Sequence, residues 1–255
     1  MISYGKGGNT VNKLNASGFK RIHLGLLLDL LLMFFVPAVM GALLMLIYLQ
    51  VSAAGMDEAT VEMLLRSPTL AVRALYAFLA LQYCLAALCT LLAVSGIGEM
   101  GTNSRQLCRA KHAFLALTIT DAVAMITHIS DVLLPGNGRV RLLSVAFITS
   151  ILLLLLFRGF ALRSLMLGCG EVLNSIGAQE LCARSVALSN HITAAIVLLL
   201  ICLLTTFMLA LVGIQPAPQL LLVGAVLSLI YYIVVFILVI RCIRKVANVI
   251  ATISE

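Results

Sequence analysis

Charged side chains are scarce in this sequence, making up 11% of its 255 residues, where a soluble domain carries roughly 25%. Hydrophobic residues reach 62%, against roughly 45 to 50% in soluble domains. A soluble fold of this length has too little interior to hide them, so that class is excluded. Short segments of alternating polarity, the mark of an outer-membrane barrel, are missing as well, since the apolar residues come in long blocks. Without water in the bilayer core each crossing segment must satisfy its own backbone, which leaves α-helices.

Other absences remove chemistries. The seven cysteines (Cys84, Cys89, Cys108, Cys169, Cys182, Cys202 and Cys242) include no Cys-x-x-Cys pair, so a zinc ribbon or a thioredoxin-type site has no support. None falls in an expected outer connection, which argues against an extracellular disulfide framework. Gly-x-Ser-x-Gly and His-Glu-x-x-His are both lacking, and with them the usual hydrolase signatures. The glycine-rich stretches follow no strand and lack a Lys-Ser/Thr ending, so they cradle no nucleotide. No cofactor, no metal and no enzymatic activity is therefore expected. The formal charge of +7 is spread along membrane borders rather than gathered in a compact basic domain, which excludes nucleic acid as a partner.

Six apolar blocks are present, each about the 20 residues that a spanning helix needs: 23–51, 69–95, 113–134, 142–167, 192–214 and 219–240. The first is too long for the roughly 7 to 15 residue apolar run of a signal peptide, so it is expected to be an uncleaved span. Ser67-Pro68, Pro135-Gly136-Asn137-Gly138 and Pro216-Ala217-Pro218 break the chain before the second, fourth and sixth blocks. These turns fall on one side and close three helical hairpins. The opposite side holds both termini and most of the basic residues, among them Lys20, Arg21, Arg105, Arg109, Lys111, Arg163, Arg184, Arg241 and Arg244. By the positive-inside bias that side is cytoplasmic. The expected fold is thus an all-α polytopic membrane protein in a single domain, with six transmembrane helices, both ends inside, in the plasma or inner membrane.

An internal echo supports the hairpin grouping. Gly96-Ile97-Gly98-Glu99 followed by Leu107-Cys108-Arg109 has a counterpart in Gly168-Cys169-Gly170-Glu171 followed by Leu181-Cys182. The fourth helix should continue past the membrane, because Leu162, Leu165, Met166, Cys169, Val172, Leu173 and Ile176 recur at helical spacing until Gly177, with Ser164, Glu171 and Asn174 opposite. At the C-terminus, residues 241–255 continue an apolar stripe of Val239, Ile243, Val246, Ile250 and Ile253 opposed by Arg241, Arg244, Lys245 and Asn248. This cytoplasmic amphipathic tail is expected on the membrane surface with its basic flank toward anionic lipid. Docking on a partner, or on the chain's own loops, is its other use. In the first helix Pro37 predicts a kink, and Ala38 with Ala42 a small-residue face for close helix contact, either within the chain or with another membrane subunit. Asp57, Glu58 and Glu62 open a short outer segment that suits an interfacial cap.

The polar residues inside the blocks point to function, because a centrally placed Asp or Arg costs about 2.5 to 3.5 kcal/mol on insertion scales. Asp29, Asp121 and Arg158 qualify, and their positions allow all three to share one level as a charge triad. One carboxylate of such a triad is incompletely neutralised and could bind a proton or cation. Thr118, Asp121, Met125, His128 and Asp131 follow at three- or four-residue intervals, a polar stripe along one helix face. His128 and Asp131 lie toward the outer end, where they would be solvated or would pass protons inward to Asp121. As a metal site they offer only two ligands. The expected function is a small transporter or permease component coupled to a proton or cation, or moving a small solute, with Asp29, Asp121, His128, Asp131 and Arg158 as its binding residues. The alternative is a non-transporting scaffold or regulatory subunit that holds a membrane or cytoplasmic partner protein through its amphipathic segments. Only the bilayer itself is a partner common to both.

Overall fold

The computed structural model describes residues 16–53, 70–100, 104–133, 140–212 and 218–254, with some side chains inside these stretches outside the description. Among the described residues there are six helices and no strands: α1 (Ala16–Ala53), α2 (Leu70–Glu99), α3 (Arg105–Leu133), α4 (Val140–Ser175), α5 (Gln179–Val212) and α6 (Pro218–Ser254). Five of them, α2 to α6, contain stretches long and apolar enough to cross a membrane. Away from the basic end the large side chains on the outer surface include many apolar ones, among them Leu31, Phe35, Ile119, Ile126, Leu227 and Ile230. A surface so rich in exposed hydrocarbon suits lipid rather than water. These helices make the chain a multi-pass membrane protein. Segments around residues 54–69, including Asp57, Glu58 and Glu62, lie outside the described residues.

Each helix packs against its neighbours in sequence and α1 also packs against α6, so the six close into a ring in chain order, with α4 reaching across to α6. Neighbours run antiparallel. Rising through α1, Gly18 meets Gly96 and Gly25 meets Cys89, with the numbers falling in α2. The same holds for α2 against α3, where Gly98 meets Lys111, Thr90 meets Thr118 and Tyr83 meets His128.

The helices are longer on the basic side than the apolar blocks alone imply. α4 runs to Ser175, α5 begins thirteen residues before Ile192, and α6 continues to Ser254. These extensions build a dense core at that end. Phe19, Ile22, Met100, Leu107, Phe114, Leu162, Leu165, Met166 and Leu173 are almost wholly buried there. α4 stops where its apolar stripe ends, in a Schellman motif. Gly177 adopts a positive φ of 78°, its amide donates to Asn174 O at 3.2 Å, and the Ala178 amide donates to Leu173 O at 2.9 Å. Glycine suits this turn because its backbone reaches the left-handed region without a Cβ penalty. Ser164, expected on the polar face, is buried in the core instead.

The C-terminal tail corrects an expectation. Val239, Ile243, Val246 and Ile250 are buried and continue α6 without a break, while Arg241, Arg244 and Lys245 remain exposed. As far as Ile250 the stripe is therefore covered by the chain itself and not by the membrane surface, because the inner ends of its neighbours extend far enough to receive it, while Ile253 at its end is exposed. Close helix approach is also located differently. A Cβ on Gly96 would stand 2.5 Å from Gly18 O, and one on Gly25 would stand 2.6 Å from Cys89 O. These glycines bring α1 onto α2 among the described residues. Ala42 is exposed, the Ala38 side chain lies outside the described residues, and α1 stays helical on both sides of Pro37.

One device occurs twice at the basic end. In α2, Glu99 accepts a hydrogen bond from Ser17 at 3.1 Å and an ion pair from Arg21, which also donates to Ser95. In α4, the matching Glu171 accepts a hydrogen bond from Ser104 at 2.6 Å. Ser104 simultaneously caps α3 by accepting from the Leu107 amide at 3.2 Å. The preceding glycines also match, with Gly96 against Gly18 and Gly168 against Leu107. The Gly-x-Gly-Glu echo is thus a repeated contact between an even helix and the start of the odd helix before it.

Candidate functional site

Three ionisable residues from three helices meet at one level. Asp29 lies about 20 Å along α1 from Ala16, Asp121 about 24 Å along α3 from Arg105, and Arg158 about 26 Å back along α4 from Ser175, at 1.5 Å per residue. Arg158 Nη2 donates to Asp29 Oδ1 at 2.6 Å, a charge-assisted bond across the ring from α4 to α1. Asp29 is only 5% exposed, so it faces the interior and not lipid. The length of the arginine arm allows the crossing, and Gly159 beside it lets Ile196 of α5 close in behind.

Asp121 is 3% exposed, and its Oδ2 atom has no hydrogen-bond partner among the described residues. It lies in electrostatic range of both Arg158 and Asp29 without being hydrogen-bonded to either. The expected triad therefore forms as a bonded pair with a third, separate carboxylate. Cys89 of α2 feels all three charges. The buried Tyr232 hydroxyl of α6 is in range of the Asp29 and Arg158 pair and makes no hydrogen bond of standard length and angle among the described residues. One arginine thus serves two carboxylates in a layer that α1, α2, α3, α4 and α6 all reach.

The polar stripe on α3 turns inward. Thr118 hydroxyl meets Thr90 hydroxyl at 2.8 Å, one turn below Asp121, while Ile119, Val123 and Ile126 on the opposite face are exposed. His128 is buried at 8% exposure and stacks on Tyr83 with ring centroids 5.4 Å apart and 13° between planes. It is not a solvated end, because α2 covers it with an aromatic ring. Tyr83 in turn lies in electrostatic range of Asp121. The Asp131 side chain lies outside the described residues. Among the described residues no group of three or more His, Cys, Asp or Glu is gathered that could hold a metal ion.

Nothing in the sequence singles out Cys89 and Thr90, and Tyr83 and Tyr232 are neutral polar residues like several others inside the apolar blocks. Their chemistry is unremarkable, and only the packing of α2 and α6 onto the charged level selects them. Below this layer the core toward the basic end is mostly apolar, with the hydroxyls of Thr90, Ser164, Ser185 and Ser189 buried in it, and α5 is tied to α6 by a His191 Nδ1 to Tyr231 Oη contact of 2.9 Å. In comparisons with protein-family models, curated proteins and solved structures, nothing matches this chain.

Proposed function

We propose that this chain is a small membrane transporter or permease component in which the Asp29, Arg158 and Asp121 layer binds a proton or cation. The observation that carries the reading is the Asp121 carboxylate, buried with one oxygen unpartnered beside an ion pair that already uses Arg158, the arginine at that level among the described residues. A carboxylate of this kind is costly inside a membrane, and a purely structural layer would be cheaper with one acid fewer. Arg158 supplies counter-charge, and Tyr83 with His128 leads from Asp121 away from the basic end. The sealed core on that end and the polar stripe on the other suit a site approached from the non-basic side.

Orientation and membrane belong to the same proposal. Both termini are cytoplasmic, the membrane is the plasma or inner membrane, and the helices group as three outward-closed hairpins. The basic residues support the first of these, and the repeated Gly and Glu contact supports the last. Against the scaffold alternative stands the packing of the tail's apolar residues from Val239 to Ile250 on its own bundle and the hydrogen bonds of Glu99 and Glu171 within the chain, whereas the exposed Arg241, Arg244 and Lys245 still offer a partner a basic face.

The test is proton uptake into proteoliposomes under an imposed potassium diffusion potential, comparing native protein with Asp121→Asn. Uptake by the native protein that the variant loses is the expected result. Equal uptake in both would remove Asp121 from the mechanism, and no uptake in either, with no flux of any solute tested, would favour the scaffold.

A further inference from the structure

Arg158 has two carboxylates within its field and hydrogen-bonds one of them. That asymmetry has a chemical consequence. An ionised Asp121 would compete with Asp29 for the guanidinium, because Arg158 interacts with both carboxylates and a nearby opposite charge favours the ionised form of a carboxylate. The observed arrangement, with Arg158 committed to Asp29 and Asp121 Oδ2 left unpartnered, is the one expected when Asp121 is neutral. No metal-ligating group of three is gathered among the described residues, whereas a proton needs no cage.

We infer that Asp121 is a single-proton site and that Arg158 is its internal switch, held by Asp29 while Asp121 carries the proton and drawn toward Asp121 when the proton leaves. The inference rests on the reading of this layer as a proton or cation site, and narrows it to the proton. The groups facing Asp121 are Tyr83 and Cys89 from α2, Arg158 from α4 and, across the ring, Asp29 from α1. Only Arg158 among them is a cation, so it alone can answer a charge appearing on Asp121. His128, two turns along α3, is stacked on Tyr83 and marks the route by which the proton would arrive. When the proton leaves, the Arg158 to Asp29 bond weakens and the α1 to α4 tie across the ring loosens, which couples protonation to helix packing.

Dicyclohexylcarbodiimide, which modifies protonated carboxyls in apolar surroundings, reads the state of each acid without any substrate. The full chain in lipid nanodiscs is treated at neutral pH and the adduct located by peptide mass spectrometry. The native protein should carry it on Asp121 and not on Asp29. Asp29→Asn should free the guanidinium for Asp121 and reduce the adduct there by about tenfold or more, and Arg158→Gln should expose both acids to modification. Modification of Asp29 in place of Asp121, an unchanged Asp121 adduct in Asp29→Asn, or protection of Asp121 by sodium ions would each overturn the inference. So would the absence of both an adduct and a protonated-carboxyl infrared band distinguishing native protein from Asp121→Asn. The expected adduct pattern without Asp121-dependent proton uptake would keep the proton site and remove transport. Sodium protection with Asp121-dependent flux would do the reverse.

Discussion

Arg158 and its two carboxylates set the energetics at the residue scale. Removing one acid leaves the arginine a second partner, so Asp29→Asn and Asp121→Asn should each lower stability only slightly. Removing both strands a half-buried guanidinium, for which the upper bound is the cost of about 3 to 5 kcal/mol for a fully buried charge that loses its partner. Thermal unfolding in detergent should therefore show the double variant far less stable than the two single losses add up to. Additive small losses would mean that Arg158 reaches only one acid. Gly177 carries a separate residue-scale prediction. No atom lies within 4 Å of where its Cβ would be, so Gly177→Ala tests backbone conformation alone and should cost about 1 kcal/mol or somewhat more. An unchanged unfolding midpoint would show that the positive φ is not required to end α4.

At the scale of the element, the decisive case is α6. Its C-terminal stripe has the spacing of a surface-lying amphipathic helix, and amphipathicity alone cannot say what covers an apolar face. The cover turns out to be the bundle, since Ile243 and Val246 are wholly buried. Ile243→Ala should accordingly destabilise the protein by about 2 to 5 kcal/mol, measured by unfolding in detergent. A tail lying on lipid would lose membrane affinity and keep its unfolding midpoint. The α3 stripe and the α4 extension were legible from residue spacing because helical periodicity places Thr118, Asp121, Met125 and His128 together whatever the surroundings. The glycine contacts between α1 and α2 were not, because close backbone approach depends on the partner. Ala38 and Ala42 have the right pattern in sequence, yet Ala42 is exposed while Gly18, Gly25 and Gly96 make the contact.

For the whole molecule, the proposed orientation makes a prediction about thiol access. Cys108 is exposed near the basic end and Cys169 is fully buried in the core. A membrane-impermeant maleimide should modify Cys108 in inside-out vesicles and not in right-side-out ones, and should leave Cys169 untouched in both. Reaction of Cys108 from the outside would reverse the orientation. The sequence by itself determined that this is a multi-pass helical membrane protein, because bilayer thickness and the cost of bare backbone in lipid act on each apolar block separately. It also nominated Asp29, Asp121 and Arg158, because a charge inside such a block is expensive wherever the helix goes. Only the packing of the helices decided which acid holds the arginine, that His128 is shielded by Tyr83, and that the tail, continuous with α6, is covered by its own ring. Those outcomes depend on distances between helices far apart in the chain, and helix spacing is set by side-chain packing that no single segment contains.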